Sequence, residues 1–137
     1  ELVASDDTLV TVTPGLFVDL GGAVAGVDGP PQLTAKGPLT RGSTLKLALT
    51  HAPPTAPCIV WISFSSTPLP AFGGTLYAVP MAAQFLFLTD AQGQFSVSAP
   101  WPPGVPSGTN IFFQFLLRDV TVPAGVTLSN AVTAATP

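Results

Sequence analysis

The chain has 137 residues and a mass of 13.9 kDa, the size of one domain with room for a hydrophobic core. Hydrophobic residues make up 47% and charged residues only 8%, with 4 Lys+Arg against 7 Asp+Glu and a net charge of −3. These values exclude intrinsic disorder, and four cations exclude a nucleic-acid binder that works by neutralising phosphates. Thirteen Gly and sixteen Pro exclude an all-helical chain and lack the period of collagen.

The sequence starts at Glu1 rather than Met, which leads us to expect a mature secreted protein after leader removal. Cys58 is the only cysteine, so no intrachain disulfide is available. Its apolar neighbours in Pro57-Cys58-Ile59-Val60-Trp61 mark it as a small buried hydrophobe. No Asp, Glu, Lys or Arg occurs from Leu47 to Thr89. Prolines at 53, 54, 57, 68, 70 and 80 nevertheless break that stretch, and no transmembrane helix is expected.

Residues 8–13 (TLVTVT) are β-branched and read as a strand closed by Pro14-Gly15. Residues 16–20 (LFVDL) are a second short candidate, and residues 21–31, rich in Gly and Pro, read as a loop. Residues 44–50 alternate cleanly, with Leu45, Leu47 and Leu49 on one side. Residues 58–64 are apolar on both faces, the pattern of a central strand. Residues 84–89 and 94–99 flank Asp90-Ala91-Gln92-Gly93 and read as a β-hairpin. Residues 110–120 form the longest candidate, with Ile111, Phe113, Phe115 and Leu117 on one face. Residues 126–134 supply a last strand after Pro123-Ala124-Gly125.

No amphipathic helix is legible. The expected fold is all-β, a two-sheet antiparallel β-sandwich of immunoglobulin-like or jelly-roll-like kind, over residues 32–137. Residues 1–31 add an N-terminal strand arm and loop. The expected core is Leu45, Leu47, Leu49, Val60, Ile62, Phe64, Phe95, Val97, Phe113 and Phe115.

From residue 33 to 133 the order of motifs resembles a β-sandwich module of secreted proteins from environmental bacteria. The residues that carry the resemblance begin with Gly42-Ser43-Thr44-Leu45-Lys46-Leu47, Ala52-Pro53-Pro54 and Gly74-Thr75-Leu76. They continue with Thr89-Asp90-Ala91-Gln92-Gly93, the run from Gly108 to Phe115, Asp119, and Leu128-Ser129-Asn130-Ala131. Such modules often sit at the C-terminal end of large extracellular proteins. The resemblance implies a secreted, noncatalytic β-sandwich.

Chemistry is sparse. His51 is the only histidine, and no Gly-x-Ser-x-Gly elbow accompanies it. The candidate carboxylates Asp6, Asp7, Asp19, Asp28, Asp90 and Asp119 show no calcium-loop spacing, although Asp19 and Asp28 are compatible with a weak site. One Cys and one His cannot complete a zinc site. No catalytic residue, metal or cofactor is therefore assigned. Trp61 reads as core, and Trp101, between prolines, is the best candidate for stacking on a carbohydrate.

Two functions follow from these features. The first is an extracellular structural subunit whose partners are identical copies, assembled into a filament or surface layer. In that reading Leu9, Val10, Val12, Leu16 and Phe17 meet a neighbour by strand addition, and the 21–31 loop gives the arm its reach. The alternative is an adhesive or carbohydrate-binding module that uses Trp101.

Overall fold

The computed structural model describes residues 17–137, and Leu9, Val10, Val12 and Leu16 lie outside the described residues. Among the described residues every regular element is a strand. In chain order these are β1 (Val18–Gly21), β2 (Gln32–Lys36), β3 (Thr44–Thr50), β4 (Pro57–Ser63), β5 (Leu69–Ala71) and β6 (Gly74–Leu76). They are followed by β7 (Ala83–Leu88), β8 (Phe95–Pro100), β9 (Asn110–Arg118), β10 (Val126–Leu128) and β11 (Ala131–Ala135). All pairings are antiparallel.

A six-stranded sheet has the order β1-β11-β9-β4-β7, with β10 also paired to β9. A three-stranded sheet has the order β2-β3-β8. Their facing sides share one core. Leu33, Leu47 and Leu49 come from the small sheet, and Cys58, Val60, Ile111, Phe113, Phe115 and Val132 come from the large one. The fold is thus all-β and sandwich-like, with β4 and β9 central in the large sheet, as expected for β4 from its two-sided apolar pattern. β1, from the end of the expected N-terminal arm, pairs with β11 of its own chain at the rim of the large sheet.

Gln114 stands on the outer face of β9 and is completely buried, because the small β5–β6 hairpin covers it. Its Oε1 accepts from the Tyr77 amide at 2.8 Å, and its Nε2 donates to Thr75 O at 2.8 Å and Ser129 O at 3.0 Å. A buried amide satisfied on both ends pins the hairpin to the sheet.

The expected β7–β8 hairpin is not one. The Asp90 turn forms, with Asp90 Oδ1 accepting from the amides of Gln92 and Gln94 at 2.9 Å each. β7, however, pairs with β4 and β8 with β3, so the turn is a corner between sheets. The backbone groups around it are taken by the β3–β4 connection: Thr89 N bonds Ala56 O, Thr55 N bonds Asp90 O, and Ala52 N bonds Gly93 O. Gly93 (φ 71°) allows that approach, since a Cβ there would sit 2.0 Å from Ala52 O. Phe87 and Phe95 then meet across the two sheets, with ring centroids 4.5 Å apart.

Two expected core residues also differ. Phe64 lies beyond the end of β4 and is 55% exposed. Ser63 is buried instead, its hydroxyl lying 2.6 Å from both Ser65 O and Pro80 O, with one proton to donate between them. Trp61 falls on the outer side of β4, opposite Val60 and Ile62, and is half-buried.

The last expected strand is split at Ser129-Asn130 into β10 and β11. The Ser129 hydroxyl accepts from Phe115 N and donates to Asn130 O, both at 2.9 Å. Asn130 then faces β2. Its Oδ1 accepts from Leu33 N at 2.7 Å, and its Nδ2 donates to Leu33 O at 2.9 Å. A side-chain amide therefore does the work of a strand and ties the two sheets together along that margin.

Candidate functional site

An exposed sheet edge offers unpaired N–H and C=O groups, and proteins usually blunt such edges with charge, proline, bulges or short length. Four of the five edge strands of the two main sheets carry such devices, β10 by being only three residues long. β1 has four residues, Asp19 and a register irregularity. β2 carries Lys36 and is latched by Asn130. β8 ends on Pro100.

β7 carries none of them. Its sequence, AQFLFL, has no charge and no proline, and among the described residues its only strand partner is β4. Phe85 is 54% exposed, Leu86 70% and Leu88 57%. By strand alternation Phe85 turns toward the small sheet, while Leu86 and Leu88 turn to the outer face. Among the described residues the strand is thus open along its edge, with Leu86 and Leu88 exposed on one face and Phe85 on the other.

Between the edges of β7 and β8 lies a groove of about 200 Å³ whose lining residues are all apolar. Phe85 and Phe87 form one wall, Val97 and Ala99 the other, and Val60 and Phe113 lie deeper. Nothing here can polarise a bond or hold a proton. The groove can only take apolar side chains, and the two edges beside it can only take backbone.

The other residues singled out from the sequence lie elsewhere. Phe17, expected at an interface between subunits, packs on its own core, with its ring centroid 6.0 Å from that of Phe113. Trp101, expected to offer a stacking face, is only 9% exposed and belongs to the core. Its backbone N bonds Ser43 O at 2.7 Å, and its O accepts from Gly42 N at 3.1 Å. Trp101 thereby plugs the end of β3 and β8 and presents no free ring. His51 is exposed, with Nδ1 3.2 Å from the Thr50 hydroxyl. Cys58 is buried, and loss of solvation pushes its thiol up to about 11, so it stays unreactive at neutral pH. Asp19 closes a turn on Gly21 N at 2.8 Å. Among the described residues no three His, Cys, Asp or Glu side chains are grouped to hold a metal. No helix among them is long and apolar enough to cross a membrane.

Asp119 is structural. It is 3% exposed, and burial pushes its carboxyl up. Hydrogen bonds from the Thr121 hydroxyl at 2.6 Å, Val27 N at 2.8 Å and Thr121 N at 2.9 Å outweigh burial and hold it below its usual 3.8. Gly26 leaves room for this, since a Cβ there would lie 2.5 Å from Asp119 Oδ2. A depressed carboxyl stabilises the fold above its unfolded value and loses that contribution as pH falls through the folded one. Asp119→Asn should cost about 1–3 kcal/mol at pH 7, because one donor is left facing an N–H. It should also flatten the loss of stability below about pH 4, as read by urea unfolding at several pH values.

The edge at Phe85, Leu86 and Leu88 was missed as a functional feature. The available signal was the failure of residues 85–88 to alternate, within a strand candidate that the sequence placed in a hairpin. No family model, curated protein or solved structure matches the chain.

Proposed function

We propose that this chain is a secreted, noncatalytic structural subunit that self-assembles into an extracellular filament or surface layer. The contact is strand addition, in which the N-terminal segment of one copy meets an open sheet edge of the next. The observation that carries this reading is β7, an edge strand without charge or proline and with Phe85, Leu86 and Leu88 largely exposed. The low charge of the whole chain, 8%, supports it, since soluble monomers usually carry about 25–35% charged residues on their surfaces. The carbohydrate-binding alternative loses its best residue, because Trp101 is buried.

Electron microscopy of the native protein beside a variant lacking residues 1–16 tests the proposal. Residues from Phe17 onward stay, because Phe17 and β1 belong to the sandwich-like body. We expect ordered polymers from the full chain and a folded monomer, with strand-type circular dichroism, from the shortened one. A full chain that stays monomeric overturns the proposal, as does a shortened chain that still polymerises.

A further inference from the structure

We infer that the groove between β7 and β8 is the acceptor for residues 8–13 of a second copy, with Val10 and Val12 entering it. This rests on the assembly reading and specifies its contact.

The argument from chemistry is that the groove accepts apolar side chains only, as all its lining residues are apolar. In TLVTVT, one face of an extended strand carries Thr8, Val10 and Val12, and the other carries Leu9, Thr11 and Thr13. The two-valine face fits the groove against Phe85 and Val97. Leu9, on the opposite face, then falls beside the exposed Leu86 and Leu88. The new strand satisfies the open backbone groups of the β7 edge.

The argument from reach is that the occupant comes from another copy. β1 and β7 stand at opposite ends of the strand order β1-β11-β9-β4-β7. A position beyond β7 is five strand spacings from β1, or about 24 Å at roughly 4.8 Å each. From Thr13 to Phe17 the chain advances four residues, at most about 14 Å fully extended. By this measure residues 8–13 do not reach the strand position beyond their own β7, although Phe17 meets Phe113 at the back of the groove. The same position on a neighbour is open to them. Donor and acceptor then lie at opposite margins of the molecule, so the contact is head to tail and propagates.

Two full-length variants separate donor from acceptor. Val10→Asp/Val12→Asp spoils the arm and leaves the groove intact, whereas Phe85→Asp spoils the groove and leaves the arm intact. Ala99→Asp, on the β8 wall, serves as a second acceptor variant should Phe85→Asp lose its circular dichroism spectrum. We expect each variant alone to sediment as a monomer. A 1:1 mixture of a donor and an acceptor variant should give a species of twice 13.9 kDa and nothing larger. One working arm meets one working groove in that pair, and growth ends there.

If the unaltered chain itself does not assemble, the proposed function fails and this inference falls with it. If the unaltered chain assembles and the variants polymerise alone, the assembly reading stands and the assigned contact is wrong. The contact is equally wrong if the variants are monomeric and their mixture stays so.

Discussion

Truncating Phe113 to alanine should cost about 3–5 kcal/mol of folding stability, measured by denaturant unfolding. Phe113 is 2% exposed and lies in β9, flanked by Ile62 of β4 and Val132 of β11. Phe17 packs on its ring, and one side of it lines the groove between β7 and β8. Removing the ring leaves a hole that joins the groove. The surrounding side chains sit on three hydrogen-bonded strands and cannot collapse into it, which places the cost high in the usual range. Phe64→Ala supplies the contrast. That ring is 55% exposed, and its removal should change stability by less than about 1 kcal/mol. The two phenylalanines are equivalent by local pattern, and only the end of β4 at Ser63 separates them.

That difference shows where local pattern stops carrying information. β3 matches its alternating run of residues 44–50, because period and breakers agree there and burial on one face fixes the register. β4 and β9 are legible as strands because their apolar runs are bounded by turn residues, and the sheet order places both in the centre. β2 was not expected at all. Its sequence QLTAK has weak strand character, and it is held by its pairing with β3 and by Asn130. The β7–β8 pair was placed in one hairpin because the Asp90 turn looks the same whether its strands pair or part. What separates them is the β3–β4 connection, some 40 residues upstream, occupying the backbone groups around the turn.

The candidate site failed to show in the sequence for the same reason. Residues 85–88 are visibly apolar, but whether an apolar strand is central or at an edge is decided by sheet order. Sheet order is non-local. The arm, in contrast, is local in sequence, and its β-branched alternation is readable without any fold. The chemistry of the proposed donor was therefore legible and that of the proposed acceptor was not.

Replacing Asn130 with alanine should cost about 2–6 kcal/mol. The loss leaves Leu33 N–H and C=O, both in a buried setting, without partners, at about 1–3 kcal/mol for each stranded group. Water cannot easily replace the amide, because Leu33 is 2% exposed and Asn130 6%. Asn130→Asp separates this account from simple loss of packing, since the two side chains have nearly the same shape. An ionised aspartate still accepts from Leu33 N–H but turns a second acceptor toward Leu33 O. A protonated one can donate there and restores the pair. Burial beside a carbonyl favours the neutral carboxyl, so its folded pKa lies above its unfolded value. The penalty should then be greatest at neutral pH and shrink, relative to the unaltered chain, as pH falls toward about 4. A deficit in Asn130→Asp that is the same at pH 7 and pH 4 would sink the hydrogen-bonding explanation. It would leave shape as the reason why an asparagine joins the two sheets at this margin.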